Sequence, residues 1–83
     1  MFKIILTARA RRELKKISRS HRIVIKQILD EIKEDPLLGK SLTRELTDRN
    51  SYRVGPYRII YIINKKENVV VILTAGHRST VYN

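Results

Sequence analysis

Apolar and polar positions alternate most regularly in the last third of the chain. There Tyr57-Arg-Ile-Ile-Tyr-Ile-Ile63 and Val69-Val-Val-Ile-Leu-Thr-Ala75 flank the polar break Asn64-Lys-Lys-Glu-Asn68. Two β-branched runs joined by a short polar loop predict an antiparallel hairpin. With a period of two, Tyr57, Ile59, Tyr61 and Ile63 share one face and Arg58, Ile60 and Ile62 the other. Val69, Val71, Leu73 and Ala75 likewise oppose Val70, Ile72 and Thr74. Both faces of such a sheet are apolar, so helices of the same chain can cover only one. If they cover the Tyr61 face, then Ile60, Ile62, Val70 and Ile72 are expected to form an open apolar patch that suits a partner.

Upstream, Phe2 to Leu6 predicts a first strand with Phe2, Ile4 and Leu6 on one face. Thr7 is suited to cap a helix running to about Ile17, in which Ala10, Leu14 and Ile17 follow the i, i+4, i+7 spacing. Ser18-Arg-Ser20 supplies a turn and a second cap. Val24, Ile25, Ile28, Leu29 and Ile32 then form a wide apolar stripe down a second helix that Pro36 ends. Residues 40–51 read as a loop and a short strand, and Gly55-Pro56 as a turn after a strand at Tyr52 to Val54. The expected fold is α+β in the order β-α-α-β-β-β, a helix hairpin on one face of a small, mainly antiparallel sheet. At 83 residues, the chain is expected to be a single domain spanning 1–83.

Charge changes this picture. The chain has 18 Lys and Arg against 8 Asp and Glu, a net charge of +10. Residues 1–26 hold nine basic side chains and one acidic, net +8; residues 27–51 hold four and six, net −2; the remainder hold five and one, net +4. Such an excess of one sign, concentrated at the front and beside the hairpin, points to a polyanionic partner rather than to solubility alone. There is no cysteine, so disulfides and thiolate metal sites are excluded. No apolar stretch approaches the roughly 20 residues that span a bilayer, and the opening Met-Phe-Lys-Ile-Ile-Leu is short for a signal peptide. The expected location is the cytoplasm, with no membrane partner.

Site chemistry is read mostly by elimination. His21 and His77 have no Cys or carboxylate at ligand spacing, and Gly39, Gly55 and Gly76 are scattered singly, so no metal, cofactor or phosphate-loop motif is expected. Asp30, Glu31, Glu34 and Asp35 are most simply a solvated helix end. Cations, an imidazole and phenols remain. They suit RNA cleavage by attack of a ribose 2′-hydroxyl on the adjacent phosphate, which needs in-line positioning, positive charge on the transition state and groups that move protons. His77 and Tyr82 are candidates for moving a proton or stacking on a base.

The order of strand, helix pair, Tyr-Arg-Val-Gly-Pro-Tyr-Arg-Ile-Ile-Tyr, apolar strand, Gly-His-Arg and Val-Tyr resembles the RelE/ParE superfamily of toxins over essentially the whole chain. Tyr57 to Tyr82 is the most specific part. The resemblance implies a small α+β fold, a RelB-like antitoxin that wraps and neutralises the toxin, and, in the RelE branch, cleavage of mRNA in the ribosomal A site without a cofactor. It also implies roles. Arg58 would bind the scissile phosphate, Arg78 stabilise the transition state, and Tyr82 stack on or protonate the substrate. Arg53 stands where RelE-like toxins carry a substrate-binding lysine, and His77 beside the catalytic arginine. The short Gly55-Pro56 turn lacks a second lysine that helps activate the 2′-hydroxyl, and His77 or Arg53 is expected to take over part of that task.

Other readings stay open from the residues alone. Arg58 can be a strand-edge cation paired with Glu45 or Asp48, His77 an ordinary loop histidine, and Tyr57 and Tyr61 core residues. At the level of function, the alternatives are a ParE-like inhibitor of DNA gyrase without nuclease activity and a non-catalytic nucleic-acid-binding module.

Overall fold

A computed structural model describes residues 1–38, 40–41 and 49–77. The elements run β1 (Lys3–Leu6), α1 (Ala8–Lys16), α2 (Arg19–Glu34), a 3-10 turn (Pro36–Leu38), β2 (Lys40–Ser41), β3 (Arg49–Val54), β4 (Tyr57–Asn64) and β5 (Val69–Thr74). The strands form one sheet in the order β1-β5-β4-β3-β2. β1 is parallel to β5 and the other neighbours are antiparallel. The expected α+β order holds, with β2 supplying the short strand expected within residues 40–51 and with β3 reaching back to Arg49 rather than starting at Tyr52. Leu42 to Asp48 lie outside the described residues.

Local chemistry places the helices as the spacing predicted. Thr7 caps α1 by accepting from the Ala10 N–H at 3.1 Å, and its hydroxyl donates to the Leu73 carbonyl at 2.9 Å, so one residue starts the helix and ties it to β5. Ser18 occupies the cap position of α2, but its hydroxyl makes no cap bond. It pairs instead with His21 Nδ1 at 2.9 Å. Along α2, Ile25 and Ile32 are buried and Ile28 and Leu29 half-buried, whereas Val24 is 42% exposed. Ile25, Ile28, Leu29 and Ile32 keep the i, i+3, i+4, i+7 spacing of a single face, and Val24 lies one residue, about 100°, off it.

These helices cover one face of the sheet. Ile59 and Tyr61 of β4, with Val70 and Ile72 of β5, are fully buried against Ala10, Ile17, Ile25 and Ile32. Ile4 and Leu6 of β1 pack against the same cluster. The buried Tyr61 hydroxyl finds its acceptor in the Pro36 carbonyl at 2.7 Å, at the end of α2.

Register corrects the expected patch. Tyr61 faces Ile72, Ile62 faces Val71 and Ile63 faces Val70. Directly opposed residues share a face, so Val70 and Ile72 belong to the covered side with Tyr61. The open side carries Ile62, Val69, Val71 and Leu73, joined by Ile5 of β1, whose parallel partner is Val71. Ile60 is on that side too, opposite Ser51 of β3, and is buried outside the helix-side cluster. The register also shifts between Ile60 and Tyr61, where Leu73 is the extra residue of a bulge just before the end of β5.

Candidate functional site

The site is built by a turn. Gly55 has a φ of +56°, a conformation that favours glycine, and it sits at the first central position of a two-residue loop with Pro56 second. Such a loop leaves Val54 opposite Tyr57, and therefore Arg53 opposite Arg58. Two arginines directly across a strand pair repel each other unless an anion lies between them. Both project from the open face, Arg53 exposed and Arg58 half-buried with its Nε buried. Glu45 and Asp48, the carboxylates considered as strand-edge partners of Arg58, lie outside the described residues.

β4 also anchors the segment after β5. The Arg58 N–H donates to the Gly76 carbonyl at 2.9 Å, and Tyr57 and His77 form an isolated antiparallel bridge. The His77 ring meets the Tyr57 ring edge-on, centroids 5.9 Å apart. His77 thus stands on the Tyr57 side of β4, whereas Arg58 points to the open side. Arg53 and Arg58 are brought together, and His77 stands across the strand from them, exposed at the rim. Arg78 and Tyr82 lie outside the described residues.

Two contributors are not read from the sequence. His21, at the start of α2, also packs edge-on against Tyr57, centroids 5.1 Å apart, so Tyr57 contacts two imidazoles from residues far apart in the chain. Tyr57 is accordingly both a core-packed residue and the support of His77. Glu13 of α1 accepts from the Thr74 hydroxyl at 2.5 Å and the Ala75 N–H at 3.4 Å, while Arg9 Nε lies 3.5 Å from it. It ties the helix layer to the end of β5 just before His77. Its one sequence signal is that it is the sole acid among the first 26 residues.

Among the described residues no group of three or more His, Cys, Asp or Glu is placed to hold a metal ion. The arrangement suits a phosphodiester: two guanidinium groups on one face, an imidazole across the strand at the rim, and a backbone hydrogen bond fixing the chain between them.

Comparison with known proteins agrees in both sequence and shape. The family model for the ParE toxin of type II toxin-antitoxin systems, parDE, matches residues 4–82. Toxin RelG of Mycobacterium tuberculosis is 36% identical over 83 residues, covering 98% of this chain and 95% of that protein. In the RelBE2 toxin-antitoxin complex of the same organism, a chain 34% identical superposes with a TM-score of 0.84 over 93% of this chain and 98% of that one. The isolated Escherichia coli RelE toxin, 26% identical, gives 0.82 over 99% and 92%. The chain is therefore a member of the RelE/ParE superfamily, a toxin of a type II toxin-antitoxin system.

Proposed function

We propose that this toxin is an endoribonuclease of the RelE kind, which cleaves mRNA in the ribosomal A site through attack of the 2′-hydroxyl on the scissile phosphate. The observation that carries this reading is the opposed Arg53–Arg58 pair on the open face, joined by a backbone hydrogen bond to the segment bearing His77 and Arg78. The 2′-oxygen bonds to phosphorus, the bond to the 5′-oxygen breaks, and the products are a 2′,3′-cyclic phosphate and a 5′-hydroxyl. The nucleophile belongs to the substrate, so the chemistry requires neither a metal nor a covalent protein intermediate.

Arg58 holds the non-bridging oxygens, and Arg78 adds charge as the pentacoordinate transition state forms. Arg53 cannot serve as a base, because a guanidinium does not lose its proton in a protein. Its part is to stabilise the developing 2′-oxyanion by charge. Proton acceptance falls to the exposed His77, and Tyr82 stacks on or protonates the leaving side.

The same reading places the protein in the cytoplasm with a RelB-like antitoxin as partner, as in the solved complexes of relatives. The open apolar half of the sheet, Ile5, Ile62, Val69, Val71 and Leu73, suits an amphipathic segment of that partner. The basic exteriors of α1 and α2, with Arg11, Arg12, Lys15, Lys16, Arg19, Arg22 and Lys26 exposed, suit ribosomal RNA. A second reading, a gyrase-directed toxin without nuclease activity, is favoured by the match to the ParE family model.

Primer extension on a defined mRNA in purified ribosomes with an empty A site, chelator present, separates the two. Cuts in the A-site codon by wild type that vanish in Arg58→Ala and Arg78→Ala support the nuclease. No cut by folded wild type, together with inhibition of gyrase supercoiling, replaces it with the second reading.

A further inference from the structure

β3 carries a third arginine that the roles above leave unused. Arg49, Ser51 and Arg53 alternate onto the open face, opposite Ile62, Ile60 and Arg58. Arg49 is half-buried, and its Nε is fully buried without a hydrogen-bond partner among the described residues. Arginine carries donors only, so a half-buried guanidinium with an unmade donor gains from any acceptor that reaches its other N–H groups. The strands that surround it offer no carboxylate: residues 49–64 contain three arginines and no Asp or Glu. The described carboxylates are Glu13, bonded to Thr74 and Ala75, the group at the end of α2, and Glu67 in the β4–β5 turn.

Spacing then decides what kind of acceptor fits. Four residues of strand, about 13 Å at ~3.3 Å per residue, separate Arg49 from Arg53, whereas Arg53 and Arg58 stand side by side. The pair can share one phosphate. Arg49, half-buried at the far end of the same strand face, is set for a different one.

We infer that Arg49 is a second phosphate contact, binding a phosphodiester further along the chain than the one held by Arg53 and Arg58, so that β3 tracks the backbone of a single-stranded RNA. Ser51 and Ile60, opposite each other, floor the intervening stretch. This inference rests on the RNA substrate of the reading above, but not on the chemistry of cleavage.

The test is binding of a short single-stranded RNA, made uncleavable by 2′-O-methylation, to wild type, Arg49→Met and Arg49→Lys across a salt series, with thermal melting of each. The expected result is several-fold weaker binding by Arg49→Met and a slope of log K against log salt shallower by about 0.7, one single-strand phosphate contact. Lysine should restore the slope but not the full affinity, since it lacks the planar fork. The Met variant should melt no lower than wild type, because it removes an unmade buried donor.

Unchanged affinity and slope in Arg49→Met overturn the inference. So does a lowered melting temperature with no rescue by lysine, which marks a packing role, or unchanged RNA binding with weakened antitoxin binding, which marks a protein contact. A shallower slope in a protein that cuts no ribosome-bound mRNA leaves this contact standing and removes the nuclease reading. Cutting with an unchanged slope does the reverse.

Discussion

The two faces of the sheet are made from the same strands and have opposite characters. On the helix side, Ile59, Tyr61, Val70 and Ile72 are sealed under α1 and α2, and the buried hydroxyl there has its acceptor. On the open side, Arg49, Arg53 and Arg58 line β3 and β4 without an acid in residues 49–64, and apolar side chains from β1 and β5 stay half-exposed. One face is closed by the chain's own helices; the other presents its cations and apolar side chains outward. Since adjacent residues of a strand point to opposite faces, the division can be tested by neighbouring substitutions.

The largest contrast is Arg58→Ala against Ile59→Ala. The first should lower A-site cleavage by roughly 10²–10³-fold, the scale of losing one preorganised donor to a transition-state oxyanion, with a melting temperature near that of wild type. The second should cost about 2–5 kcal/mol of stability by opening a cavity in the core, much of what a domain of this size possesses. Single-turnover cleavage and thermal melting on both variants check the pair. A large loss of stability in Arg58→Ala would erase the separation of faces.

Next in size is Tyr61→Phe. It leaves the Pro36 carbonyl without its donor in a buried place and should destabilise by about 1–3 kcal/mol. That is a fall in Tm of roughly 4–8 °C per kcal/mol for a domain of this length. The variant should bind uncleavable RNA as wild type does, because Tyr61 is on the covered face.

Gly55→Ala should act on both faces through register rather than contact. Alanine at a φ of +56° costs about 1–2 kcal/mol, while the space itself is open, the nearest side chain being His21 at 3.9 Å from the added carbon. The expected outcome is a modest fall in Tm together with weaker RNA binding, as the turn that sets Arg53 against Arg58 relaxes. A stability loss with unchanged RNA affinity would show that the arginine pair does not depend on this turn.

These effects also mark which parts of the molecule were legible in the sequence. The hairpin of β4 and β5 was, since its two runs alternate cleanly around a polar break, and so were the Thr7 cap of α1 and the stripes of both helices apart from Val24, whereas Ser18 holds the cap position of α2 without a cap bond. The partnership across strands was not. Period two tells which residues of one strand share a face, but only the register says which face of the next strand they join, and so Val70 and Ile72 were expected on the wrong side.

Arg49 went unread because it stands in a stretch where charge and apolar residues mix without period, and its face becomes clear only from its pairing with Ile62. The stacking of His21 on Tyr57 comes from the packing of α2 over the sheet, and no local signal carries it. Legibility thus follows the range of the interaction: positions fixed by neighbours within a turn or a strand could be read, and those fixed by contacts across the fold could not.

Glu13 is the smallest and most specific test of how the faces are coupled. Its carboxylate belongs to the helix layer, yet its bonds go to Thr74 and Ala75, where the chain leaves β5 for Gly76 and His77. Glu13→Gln keeps the shape and removes the charge, so the bonds weaken without a cavity, and the expected loss of stability is about 0.5–1.5 kcal/mol. Amide exchange should localise the change. If α1 holds the segment that carries His77, the Ala75 and Gly76 amides should exchange faster in the variant while those of Ile59 and Tyr61 keep their protection. Protection lost evenly across the sheet would mean that Glu13 serves general stability. In that case the position of His77 would be set from β4, through its bridge to Tyr57 and the Arg58–Gly76 hydrogen bond beside it.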